Sequence, residues 1–258
     1  MNEVEAKYLH TLERELEALK EQNAAQNGMY EMTTLYMQQL QDELRYSEEK
    51  LIATNKDLTD SINYSKRIQD ALTVQQHNLQ KVLPQSFVFS RPKDILSGDF
   101  VWLSQKGTKL FLAVGDCTGH GVPGAMLSIF MISTLNQILS EQIHFEATKI
   151  LEKLDTLVTQ YLGLYTDQLR DSAEIAMVQL DVSKKNLVFS GANRPLVHVR
   201  NKVVTLYKGA KYHLGYPESS IQALMSQDIE VEKNDMIYLF SDGFGDQFGG
   251  SENTKFLN

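Results

Sequence analysis

Three aspartates stand where apolar runs meet turns. Asp99 follows Ser97-Gly98. Asp116 closes Leu112-Ala113-Val114-Gly115 and opens Cys117-Thr118-Gly119-His120-Gly121. Asp242 closes Ile237-Tyr238-Leu239-Phe240-Ser241 and precedes Gly243. A carboxylate that ends an apolar strand is carried to the rim of a sheet on a fixed backbone, and glycines beside it let the chain bend and a ligand approach. Carboxylates gathered without cysteines suit hard divalent cations, Mg²⁺ or Mn²⁺, which take oxygen ligands. Asp before Gly is also a common turn pair, and His120 suits a turn or a helix cap as well as proton transfer. Cys117 is a poor nucleophile on its neighbours alone, because the adjacent Asp116 carboxylate opposes formation of a thiolate.

The elements that must hold these residues fall into two textures. All five prolines lie at Pro84 or later, and 14 of the 15 glycines lie at Gly98 or later. Residues 1–83 therefore hold little to break a helix. One heptad position reads Leu9, Leu16, Asn23, Tyr30, Met37, Leu44, Leu51, Leu58, Ser65, Leu72, Leu79, nine of eleven apolar, while the partner row from Leu12 to Val82 is about half apolar. A strict seven-residue repeat predicts a left-handed supercoil. At about 1.5 Å per residue the helix would exceed roughly 100 Å. A homodimeric parallel coiled coil over 1–83 is the favoured reading; a helical hairpin breaking near Asn23–Met29 is the alternative. The expected helix runs unbroken to Val82-Leu83-Pro84, so its register could act directly on the domain behind it.

Residues 84–258 read as a mixed α/β domain. Leu110–Val114, Ile175–Leu180, Leu187–Phe189, Leu196–Val199, Val203–Leu206 and Met236–Phe240 are expected strands, and Gly124–Gln142 and Ala147–Leu164 expected helices. Strands in near-continuous runs suit antiparallel sheets with helices packed outside, an α+β arrangement.

Several motifs then agree in order. Pro92-Lys93-Asp94-Ile95-Leu96-Ser97-Gly98-Asp99-Phe100 resembles the opening motif of bacterial SpoIIE-type phosphatases, a branch of the PPM (protein phosphatase 2C) family. Asp116 through Ala125 is similar to that family's central motif nearly letter for letter. Ser190-Gly191-Ala192-Asn193-Arg194-Pro195-Leu196, Phe240-Ser241-Asp242-Gly243-Phe244 and Asp246-Gln247-Phe248-Gly249-Gly250 follow in order, and Ser61–Gln69 resembles the linker that leads into such domains. The resemblance covers about residues 60–258 and is far more specific than one short pattern.

The resemblance implies a two-sheet antiparallel β-sandwich flanked by helices, with two divalent cations, Mn²⁺ or Mg²⁺, at one end. It implies hydrolysis of phosphoserine or phosphothreonine in a protein, with Asp99, Asp116, the Cys117 backbone carbonyl and Asp242 as metal ligands and Asp116 bridging. Paired cations about 3.5–4 Å apart would activate a water and clamp the phosphoryl oxygens, with no protein nucleophile. His120 would orient or protonate the leaving group. Where the family commonly has Asp-Gly-Met-Asp, this chain has Asp171-Ser172-Ala173-Glu174, which makes Glu174, with Asp246, an accessory metal candidate. No aspartate follows Asp246, so the family's last metal-binding aspartate is expected to be missing. That leaves a catalytically defective scaffold acting through coiled-coil dimerisation as the alternative function.

Composition limits the partners. The 258 residues carry 25 Lys and Arg against 33 Asp and Glu, a net charge of −8 without a basic cluster, so nucleic acid is an unexpected partner. The single cysteine excludes an intramolecular disulfide and a cysteine-built zinc site. No window approaches 18 uninterrupted apolar residues and the N-terminus lacks an apolar signal core, so no membrane span and a cytoplasmic setting are expected. The expected partners are a second copy of the chain and a phosphorylated protein, by resemblance of the anti-sigma-factor-antagonist type.

Overall fold

Alternating side chains on the central strands decide what packs on each face. In the computed structural model, which describes residues 3–141, 146–163, 171–181, 183–184, 186–215, 224–249 and 254–255, helices α1 (Glu3–Leu72) and α2 (Gln76–Val82) precede β1 (Phe100–Lys106) and β2 (Lys109–Cys117). Then come α3 (Gly121–Glu141), α4 (Ala147–Gly163), β3 (Ala173–Asp181), β4 (Asn186–Ala192), β5 (Leu196–Arg200), β6 (Val203–Tyr207), β7 (Gln227–Glu230), β8 (Met236–Leu239), β9 (Phe248–Gly249) and β10 (Thr254–Lys255). The expected helix ends at Gln142 and Leu164, and Gly250, lie outside the described residues.

The strands form two antiparallel sheets, β1-β2-β3-β4-β7 and β6-β5-β8, beside a small β9-β10 pair. On β3, Ala173, Ile175 and Met177 join one buried cluster with Met131, Ile132 and Leu135 of α3 and Ile150, Leu151 and Leu154 of α4. The intervening Ala176 and Val178 join a second cluster with Leu187 and Phe189 of β4 and Leu196 of β5, against which Ile237 and Leu239 of β8 pack. A strand buried on both faces reads as a near-continuous apolar run, as Ile175–Leu180 does. This is the expected sandwich, with helices over the outer face of the five-stranded sheet.

The helix α3 has the length and hydropathy of a membrane span by composition, a candidate that counting uninterrupted apolar residues passed over. Its Leu127, Met131, Leu135 and Ile138 are spent in the core beneath α4.

The N-terminal region differs from expectation in two ways. α1 runs unbroken through Asn23–Met29, which removes the hairpin reading; a lone glycine costs a helix only about 1 kcal/mol. The helix does not reach Leu83, however. It stops at Leu72, where Thr73 N and Oγ1 both donate to Gln69 O and Val74 N donates to Val101 O, joining the chain to β1. Leu79, expected on the coiled-coil seam, is instead buried in the short α2. The chain forms two compact units, Met1–Asp60 and Ser61–Asn258.

A buried ionic knot fixes the far end of the smaller sheet. The Asp235 carboxylate, 4% exposed, accepts from Arg200 Nε at 3.0 Å, Arg200 Nη2 at 2.7 Å and Glu232 N at 2.8 Å, and lies 3.0 Å from His198 Nε2. Arg200 foremost holds this carboxyl well below the usual carboxylate range. A depressed folded-state value contributes stability above the unfolded value, near pH 4, and loses it as pH falls through the folded one. Asp235→Asn is expected to lower Tm by a few degrees at pH 7, with the gap narrowing below about pH 4 in thermal melts. A gap constant down to pH 2 would exclude this role.

Candidate metal centre

Antiparallel pairing brings the acidic residues to one end of the sandwich. Phe100 pairs with Gly115, so Asp99, just before β1, lies beside Asp116 near the end of β2. Asp116 is in register with Glu174 at the start of β3. Leu196 pairs with Leu239, so the residues preceding β5 and those following β8, Arg194 and Asp242, leave the smaller sheet at the same edge.

The side chains meet there. Asp116, Glu174 and Asp242 each offer an oxygen within 4.8 Å of the others. Asp99 Oδ2 accepts from Ser241 Oγ at 2.7 Å, which ties it to the Asp242 turn, and its carboxyl also meets that of Asp116. Arg194 Nη2 donates to Asp116 Oδ2 and Asp242 Oδ2, both at 2.7 Å, and stands 2.6 Å from Glu174 Oε2. Asn193 Nδ2 donates to Glu174 Oε1, and His213 Nδ1 lies 3.2 Å from that oxygen.

Backbone packing makes this convergence possible. Asn193 takes a left-handed φ of 57°, a conformation asparagine tolerates, and its N–H donates to Ala210 O. A Cβ on Gly209 would stand 2.6 Å from Arg194 O, and Gly191 would meet the same carbonyl more closely still. A Cβ on Gly98 would stand 2.9 Å from Cys117 O and 3.1 Å from Gly119 O. Only glycine lets the segment before Asp99 lie against the loop after Asp116.

Electrostatics follow from the crowding. Burial first, then the Asp99 and Asp242 charges, push the Asp116 carboxyl up to about 7, against the opposing pull of Arg194. Three carboxylates share one guanidinium and a fourth, Asp99, crowds against Asp116, an excess of hard oxygen donors and negative charge that a divalent cation would relieve. The donor set therefore fits Mg²⁺ or Mn²⁺. Burial, with Asp116 and Asp99, pushes the Cys117 thiol far above its ordinary range, and its side chain sits in the core. That leaves the Cys117 carbonyl, against Gly98, as the part of this residue near the site.

Of the residues expected from sequence, Asp99, Asp116, Glu174 and Asp242 come together. His120 stands apart from the carboxylates on a side chain 79% exposed, with Nδ1 3.0 Å from Asp94 Oδ2. Asp246 donates its N–H to Asp242 O and closes the turn after β8, and it is outside the three-carboxylate group. The role of Arg194 was not anticipated, although its motif was. The signal was an arginine in the short turn between two apolar runs, Leu187–Phe189 and Leu196–Val199.

A family model described as Stage II sporulation protein E (SpoIIE) matches residues 106–258, more than half of the chain. Among solved structures, the SiaA-PP2C domain of Pseudomonas aeruginosa superposes with a TM-score of 0.70 at 26% identity, over 80% of each chain. The RsbU and RsbW domains of Rv1364c from Mycobacterium tuberculosis give 0.51 at 21% identity, over 63% of this chain and 44% of that one. No curated relative matches. A strand-end carboxylate cluster on a PP2C-type sandwich, and a family match spanning β2 to the C-terminus, lead to one assignment: the chain belongs to the SpoIIE family.

Proposed function

We propose that the chain is a metal-dependent protein phosphatase that removes phosphate from phosphoserine or phosphothreonine on a regulatory partner protein in the cytoplasm. The observation that carries this is the meeting of Asp99, Asp116, Glu174 and Asp242 at one end of a SpoIIE-family sandwich. These carboxylates would hold Mn²⁺ or Mg²⁺, and the bound cations would supply an activated water and charge neutralisation for the phosphoryl oxygens. The chain's own part is to fix the carboxylates: β2 and β3 hold Asp116 and Glu174 in register, and Ser241 orients Asp99. The motif resemblance favours a substrate of the anti-sigma-factor-antagonist type. The test is phosphate release from a phosphoserine protein by the full chain with and without Mn²⁺. Manganese-dependent release supports the reading, and no release with Mn²⁺, or release that is the same without it, overturns it.

We further propose that α1 pairs with a second copy and that its end governs the site. Supporting this, Gln69, 1% exposed, donates from Nε2 to Ser97 O at 2.6 Å and to Ser128 Oγ of α3 at 3.0 Å, while Ser97 N donates to Gln69 Oε1 at 3.2 Å. Ser97 Oγ in turn accepts from Asp99 N at 3.0 Å. One side chain on α1 thus holds the backbone two residues from a ligand-bearing position, so a turn or slide of the helix at Gln69 would be felt at Asp99. Gln69→Ala is expected to lower kcat/KM about 10–100-fold with the fold retained, the usual range for residues that support metal ligands. Activity equal to that of the native chain would remove this link.

A further inference from the structure

We propose that Arg194 is a built-in competitor for the divalent cation: its guanidinium fills the pocket between Asp116, Glu174 and Asp242, and a cation enters only as the guanidinium leaves. This rests on the metal-dependent reading above and concerns how that site is loaded.

The geometry is specific. A single nitrogen, Nη2, lies 2.6–2.7 Å from one oxygen of each of three carboxylates. An NH₂ group has two hydrogens, and they serve Asp116 and Asp242; Glu174 adds an ionic contact. The nitrogen therefore occupies the centre of the oxygen set, as a small cation would, rather than a flank of it. Mg²⁺ binds oxygen at about 2.0–2.1 Å. It would need that same position, and two positive centres cannot share it.

The arginine is also poorly anchored elsewhere. Its side chain is only 10% exposed, yet Nε is buried without a hydrogen-bond partner among the described residues. A buried, unmatched donor is a net cost to the arrangement that holds it. The guanidinium is held here by the carboxylate charges and by little else among its described contacts. Once a cation neutralises those charges, the hold is gone.

Two consequences follow. The metal-free chain is protected from the mutual repulsion of its own carboxylates. The apparent cation affinity is reduced by the fraction of molecules in which the pocket is closed. Arg194 then sets a concentration threshold below which the site stays shut.

Calorimetric titration of Mn²⁺ into the full chain and into Arg194→Gln tests this. The variant is expected to bind Mn²⁺ at least about tenfold more tightly, and to melt earlier than the native chain without metal and gain more from its addition. Equal or weaker binding by the variant, with native binding intact, overturns the competitor and leaves the phosphatase reading standing. No Mn²⁺ binding by either protein overturns both. A second measurement needs no variant. In the native chain the ¹⁵N resonance of Arg194 Nε is expected to move as Mg²⁺ saturates, and a resonance that stays fixed through saturation also overturns the proposal.

Discussion

Asp116→Ala is expected to reduce manganese-dependent phosphate release on the order of a thousandfold, equivalent to ~4 kcal/mol of transition-state stabilisation. Asp116 is the residue from which the site is built. It faces Glu174 across the β2–β3 ladder, meets Asp99 on one side, and shares Arg194 Nη2 with Asp242. Each other carboxylate has one or two of these relations, whereas Asp116 has them all. The sheet itself does not depend on the side chain, because the flanking Gly115 and Cys117 keep their pairing with Ile175 and Ala173. The variant is therefore expected to fold and to gain in stability, since a crowded carboxylate is removed. Circular dichroism and a thermal melt separate the two effects. Loss of activity with a native-like melt places Asp116 in the chemistry. Activity within about tenfold of native would mean that catalysis is organised around some other residue.

Much of this site was legible because strand ends are legible. Asp116 and Asp242 each close a largely apolar run and have a glycine beside them, Gly115 and Gly243, and such a residue is carried to a sheet edge wherever the sheet is placed. What joins the edges is tertiary. Nothing in the order of the chain says that Leu196 pairs with Leu239, and that pairing is what sets Arg194 against Asp242. Arg194 was hidden for a further reason: an arginine in a turn is ordinarily a solvated charge, and its value here comes from three carboxylates that lie 20 to 78 residues away. His120 shows the opposite case, a residue that its motif made prominent and the structure leaves outside the carboxylates on Asp94.

The elements follow the same rule. β3 was plain because both of its faces are buried. β1, whose apolar run Phe100-Val101-Trp102-Leu103 turns polar at Ser104, was not among the expected strands, although the run is as long as Val203–Leu206. The end of α1 was placed too late. Composition finds no proline or glycine there, but Thr73-Val74 is a β-branched pair, and Val74 has a better partner in Val101 of β1 than a further helical turn would offer. The break is decided by a strand that lies 26 residues downstream in the chain.

Leu44→Asn combined with Leu51→Asn is expected to turn a dimer into a monomer, weakening self-association on the order of ten-thousandfold. The expectation rests on the seam of α1. Leu9, Leu16, Tyr30, Met37, Leu44, Leu51 and Leu58 recur every seven residues or a multiple of seven, and in a single chain each is at least 50% exposed. On the proposed pairing these leucines would be covered by a second copy, and the strict repeat favours a partner with the same repeat in the same register. Two substitutions in each of two chains remove four leucines from the proposed interface, at about 1.5 kcal/mol each or more. Asparagine keeps the helix and its solubility, so the change reports on association rather than on folding. Sedimentation velocity on the full chain reads the mass directly. A native chain that is already monomeric at micromolar concentration would remove the coiled-coil pairing. If the native chain is a dimer and the double variant a monomer, their phosphatase rates then decide whether pairing has any effect on catalysis. The Gln69 link to Ser97 and Asp99 requires a difference between them, because the helix that would supercoil at Leu44 and Leu51 is the one that carries Gln69 in its last turn.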